Sequence, residues 1–257
     1  MATSMRGDRI AAASVGLLAF AATDVAHEAL GHGVAVLLSP GVRAVAISTV
    51  ALSTSESSRF VALGGPLLNL VLGIACLALF RRGRGFGPAS FFFWLFATTN
   101  LLNAFGYGVY SGALDFGDLA VAIQGMEPHG AWRIGMAVVG IAGYYASVRI
   151  AAGSLARRLA DIGIGGSRLP SLIVPAYLAG GALLLAGAAL NPIRNLVLMS
   201  GLSSGFLCMA GLLAVPAMLP KDDLPAPAVL GNARIWLIAG AVVAALFVGV
   251  LGPGIPL

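Results

Sequence analysis

Residues 10–38 read IAAASVGLLAFAATDVAHEALGHGVAVLL, and the class of the fold turns on this stretch. It exceeds the roughly 20 residues with which an α-helix crosses a bilayer. Arg6 and Arg9 precede it, and Ala19-Phe20-Ala21 has the small-x-small form of a signal cleavage site. The apolar run nevertheless continues far past the 7–15 residues of a secretory h-region. The reading is a retained first span, with Asp24, His27, Glu28 and His32 set into its second half.

Outward from this span the same character repeats. Apolar blocks at 60–80, 88–110, 131–153, 169–190, 195–219 and 233–252 are separated by short stretches rich in Gly, Pro, Ser and charge. Only 10% of the 257 residues are charged, against about 25% in soluble domains, and the mean hydropathy is +0.95. The 35 glycines suit closely packed membrane helices. The expectation is an all-α, polytopic transmembrane bundle of about seven spans. Residues 1–130 would form a core with the chemistry, and 131–257 further helices of the same membrane domain.

The net charge of +5 does not point to nucleic acid, because the arginines sit in short loops where they orient spans and meet lipid headgroups. Arg6 and Arg9, then Arg81, Arg82 and Arg84, then Arg157, Arg158 and Arg168, then Lys221 and Arg234 all fall on one side if there are seven spans. The positive-inside rule makes that side cytoplasmic, with the N-terminus inside. The small-residue-rich composition suggests a bacterial cell membrane. Cys76 and Cys208 lie within apolar blocks and read as core residues. Residues 41–52, GVRAVAISTVAL, carry β-branched side chains in partial alternation and predict a short strand or hairpin at the membrane surface.

The motif in the first span is His27-Glu28-Ala29-Leu30-Gly31-His32. Ionisable groups within a span are costly and read as functional. In HExxH, two histidines four apart share a helix face and hold Zn²⁺, and the glutamate acts as general base. Here the spacing is five, which on an α-helix separates the imidazoles by about 140°. A π-bulge would restore a common face, and Gly31 and Gly33 weaken the helix enough to permit one. Alternatively, the helix ends near Gly31 and His32 swings in.

Three features resemble the site-2 protease family of intramembrane zinc metalloproteases, in that family's order. They are HEALGHGVAVLL (27–38); Gly64-Gly65-Pro66-Leu67-Leu68-Asn69, similar to a Gly-Pro-x-x-Asn signature; and Asn100-Leu101-Leu102-Asn103, followed by an aspartate-bearing loop where the family has Leu-Asp-Gly. The resemblance covers residues 10–125. It implies zinc held by His27, His32 and an aspartate, Asp118 in preference to Asp115, with Glu28 as catalytic base. It further implies that Asn69 helps hold substrate as an extended strand, with residues 42–52 pairing to it; as a polar amide within a span, Asn69 could equally hydrogen-bond another helix. The implied activity is hydrolysis of peptide bonds in a transmembrane protein or peptide substrate within the lipid bilayer. Two other readings fit the same residues: a non-catalytic relative that binds membrane partners, and a transporter using His27, Glu28 and His32 as a proton relay.

Overall fold

The computed structural model describes residues 2–163, 166–193, 195, 197–219, 230–231 and 234–257. Lys221 lies outside the described residues. The first span is one continuous rod: α1 (Ala2–Val25), a π-helical turn (Ala26–His32) and α2 (Gly33–Leu37). A hairpin of β1 (Ala44–Ile47) and β2 (Leu52–Thr54) follows, then α3 (Arg59–Arg82), α4 (Pro88–Leu114), the short α5 (Asp118–Ile123) and α6 (His129–Ala160). The second half holds α7 (Pro170–Ala189), a π-helical stretch (Val197–Leu207), α8 (Gly211–Ala214), α9 (Arg234–Leu246) with a π-helical end (Phe247–Leu251), and β3 (Ile255–Pro256). The fold is thus an all-α membrane bundle carrying one small sheet, in the order β2-β1-β3 with antiparallel neighbours. The expected strand or hairpin at residues 41–52 is this hairpin, which starts three residues later and ends two later.

Among the described residues, six helices are long and apolar enough to cross a membrane: Arg6–Leu37, Arg59–Arg82, His129–Ala160, Gly166–Ala189, Met199–Met218 and Arg234–Leu251. The protein is therefore an integral membrane protein. α4 is as long as these, but Thr98, Thr99, Asn100 and Asn103 interrupt its apolar run, and all four are buried inside the bundle. Strand pairing shows that α4 crosses too. β1 follows the first span and β3 follows the last, yet the two are hydrogen-bonded neighbours. Such a chain crosses an odd number of times, so α4 supplies the seventh span.

Contacts at the opposite end agree. Asp8 accepts the backbone N–H of Leu230 at 2.9 Å and lies 3.8 Å from Arg168. Arg158 donates to the carbonyl of Gly85. The N-terminus and the loops after the second, fourth and sixth spans therefore share one face.

The first span is central. Ala11, Ala12, Val15, Ala19 and Phe20 are fully enclosed, packed chiefly against α7, α9 and α4. Backbones meet where side chains are small: a Cβ on Gly16 would stand 2.3 Å from the carbonyl oxygen of Ala176. Trp94 on α4 closes the neighbouring contact by donating its indole N–H to the carbonyl of Ala151 on α6. The outer surface carries Leu67, Val71, Ile74, Ile134, Val138, Ile141 and Ile238. In water such a surface would drive aggregation; against lipid tails it is the expected one.

Candidate metal centre

The π-helical turn brings the two histidines of the first span together. His27 and His32 meet edge to face, ring centroids 4.9 Å apart, where an unbroken α-helix would set them on different faces. Their floor is α3. A Cβ on Gly65 would lie 2.5 Å from His27 Nε2 and 2.7 Å from His32 Nε2, and one on Gly64 would lie 2.4 Å from the carbonyl oxygen of Gly31. Only glycine at these positions lets α3 approach so closely. Asp118, the first residue of α5, closes the group: its Oδ2 is 2.9 Å from His27 Nε2 and 3.4 Å from His32 Nε2. One donor atom from each of the three residues lies within 4.8 Å of the other two.

Hydrogen bonds fix which nitrogen of each ring faces this point. Asn100 Nδ2 donates to the backbone carbonyl of Phe96, so its Oδ1 must accept, and it does so from Asn69 Nδ2 at 2.7 Å. That leaves Asn69 Oδ1 as the acceptor for His27 Nδ1–H, at 2.5 Å. His32 Nδ1 faces the carbonyl of Val61 at 2.7 Å and must likewise donate. In neutral rings both Nε2 atoms then carry lone pairs, and both point at a carboxylate. Three acceptors converging on one point repel unless a cation lies among them, either added protons or a metal ion. Where added protons fill that role, burial pushes the Asp118 carboxyl up, but the hydrogen bonds and charge of the two protonated rings outweigh it and hold it well below the usual carboxylate range.

The donor set fits a zinc-type ion: two imidazoles and one carboxylate, with orienting partners on the far ring nitrogens. With bonds of about 2.0–2.1 Å in a tetrahedron, ligand atoms stand about 3.3 Å apart. The two separations that involve Asp118, 2.9 and 3.4 Å, bracket that value, and all three donor atoms lie within 4.8 Å of one another.

Glu28 is beside the group, its Oε2 3.9 Å from His32 Nε2 and accepting the backbone N–H of Leu52 at 2.8 Å. It faces a cavity of about 690 Å³ that is also lined by His32, Leu52, Tyr107 and Asp118. Asp115 is placed elsewhere. It ends α4 in the left-handed conformation (φ 53°) and binds His129 Nε2 at 3.0 Å, with Arg133 3.7 Å away.

Asn69 corrects an expectation. It does not face the cavity to hold substrate; it is fully enclosed, with its amide engaged by His27 and Asn100. The network continues through Asn100 Nδ2 to Thr23, and from Thr23 to Thr99. Sequence reasoning also missed Tyr107, which stacks on His27 with centroids 5.0 Å apart, and the far wall of the cavity formed by Met199, Ser200, Ser203, Ser204 and Cys208. The serine spacing of three and four within an apolar block was the available signal.

No protein-family model matches the chain, and no match is found among the curated proteins or the solved structures.

Proposed function

We propose that the protein is an intramembrane zinc metallopeptidase that hydrolyses peptide bonds of a transmembrane protein or membrane-inserted peptide. The observation that carries the reading is the convergence of three proton-poor donor atoms, from His27, His32 and Asp118, beside the carboxylate of Glu28. His27 and His32 would present Nε2, and Asp118 its Oδ2, to Zn²⁺. When bound there, the ion supplies Lewis acidity toward a carbonyl oxygen and toward water.

The chain's own groups supply the rest. Glu28 takes a proton from the attacking water as its oxygen bonds to the scissile carbonyl carbon. It returns that proton to the amide nitrogen as the C–N bond breaks. The Leu52 N–H fixes the orientation of the Glu28 carboxylate. Asn69 and the Val61 carbonyl hold the imidazoles. β2 is an edge strand of the sheet among the described residues and borders the cavity, so an extended substrate would add alongside it.

In the same reading the arginine-rich face lies in the cytoplasm of a bacterial cell and the metal centre nearer the opposite face. Zinc analysis of purified protein alongside Glu28→Gln tests the proposal. Expected are about one zinc per chain in both proteins, and a loss of cleavage of at least about 10²-fold in the variant. Equal cleavage by the two proteins would sink the peptidase reading.

A further inference from the structure

We infer that Tyr107 is a further catalytic residue, whose phenol O–H donates a hydrogen bond to the carbonyl oxygen of the scissile bond as it becomes an oxyanion; the inference rests on the hydrolytic reading above. The ring is fixed from two sides. It stacks on His27 at an interplanar angle of 28°. Its edge reaches the loop carrying Asp118, where a Cβ on Gly117 would lie 3.5 Å from Tyr107 Cε1. Tyr107 therefore lies between His27 and the residue that precedes Asp118, and it lines the large cavity together with Glu28, His32 and Asp118. It also lines a small polar chamber with Asp24, His27, Glu28 and Asn103.

Its hydroxyl has no hydrogen-bond partner among the described residues, whereas the neighbouring tyrosine and the arginines around the site are engaged. Tyr110 donates to the carbonyl of Met199, Arg59 to that of Gln124, and Arg133 to those of Gly112 and Ala113. Both Asn69 and Asn100 are committed to the network behind His27. A half-buried phenol held rigidly at a polar cavity, with its donor free, is suited to a charge that appears only during reaction. The hydroxyl gives a hydrogen bond and keeps its proton, so the transfer through Glu28 is unchanged.

The test is Tyr107→Phe, which keeps the ring on His27 and removes one oxygen. Zinc content and thermal stability of wild type and variant are measured first, and both should match. The binding probe is a peptide in which a phosphinic group replaces the scissile amide, so that its anionic oxygens mimic the tetrahedral adduct. Its affinity should fall about tenfold or more in the variant. On fluorescein-labelled casein, kcat should fall by about 10²-fold with KM changed by less than about twofold. A ring that merely positioned His27 would leave both quantities as in wild type, and that result overturns the role of the hydroxyl. A zinc-loaded wild type that neither binds the phosphinic peptide nor cleaves casein overturns the hydrolytic reading, and this inference with it.

Discussion

Asn69 accepts the Nδ1–H of His27 while giving its own amide hydrogen to Asn100. This single side chain decides which nitrogen of His27 faces Asp118. It links the proposed ligand to a chain of hydrogen bonds that ends on the backbone of α1 and α4 at Ala19 and Phe96. Because Asn100 is anchored on a carbonyl oxygen, the polarity from Asn100 through Asn69 to His27 has one solution. Replacing Asn69 with Leu keeps the volume and removes the acceptor. Zinc affinity should drop about 10- to 100-fold, read by competition against a chromogenic chelator in detergent. An unchanged affinity would mean that the orientation of His27 does not depend on Asn69.

The two aspartates of the 115–118 loop should separate cleanly. Asp118 reaches both imidazoles, whereas Asp115 is paired with His129 and lies near Arg133. Asp118→Ala removes one of three proposed ligands and should abolish stoichiometric zinc binding. Asp115→Ala loses a half-exposed pair, which is worth at most about 1 kcal/mol, and should keep zinc affinity within about threefold of wild type. Metal analysis of both purified variants decides between them; zinc retained in the first and lost in the second would invert the assignment.

Gly65 sets how closely α3 approaches the histidines. A methyl group there would meet ring atoms of both His27 and His32 at 2.5–2.7 Å, far inside van der Waals contact. The imidazoles are themselves tied to Asn69 and Val61 and have little room to retreat. Gly65→Ala should therefore destabilise the protein by about 1–3 kcal/mol and weaken zinc binding by at least about tenfold. A thermal melt with and without added zinc reads both effects. Gly33→Ala is the control, because a Cβ there meets nothing within 4 Å, and it should leave both unchanged.

Much of this was legible in the residues, and what was not has physical reasons. Block lengths and charge gave the membrane class, and the side-by-side convergence of Asp8, Leu230 and Arg168 and of Arg158 and Gly85 follows from the alternation of basic loops. The five-residue spacing of His27 and His32 left two routes to a shared face, a π turn or a helix end near Gly31, and the helix takes the first. For Asn69 the substrate role gave way to the other open reading, a bond to another helix, because a polar amide within a span has both uses and only its neighbours tell which applies. Asn100 and Thr23, which settle the matter, lie 31 and 46 residues away along the chain in opposite directions. The serine-lined wall from the second half was invisible for a similar reason. Periodicity marks a polar face, while the element it meets is fixed by tertiary packing.

The last strand gives a further handle on the site from a distance. β3 pairs with β1 at Ala46 and Ile47, and Leu257 donates its N–H to the carbonyl of Val45. β1 in turn carries β2, whose Leu52 N–H holds the Glu28 carboxylate. β2 and β1 are only three and four residues long, and a lone two-stranded hairpin is marginally stable in water. The third strand should therefore stiffen the support of Glu28. Truncation after Gly252 removes β3 and leaves the seven spans intact. Zinc content should stay at wild-type level, because the three proposed ligands take their hydrogen bonds from Asn69, Val61 and one another and not from the strands. Amide exchange across residues 44–54 should accelerate by about tenfold or more, since local opening no longer breaks the β3 pairing. Cleavage should fall several-fold as the carboxylate loses its fixed donor. Exchange rates equal to those of the intact chain would show that the hairpin stands without β3 and that the coupling from the last span to Glu28 is absent.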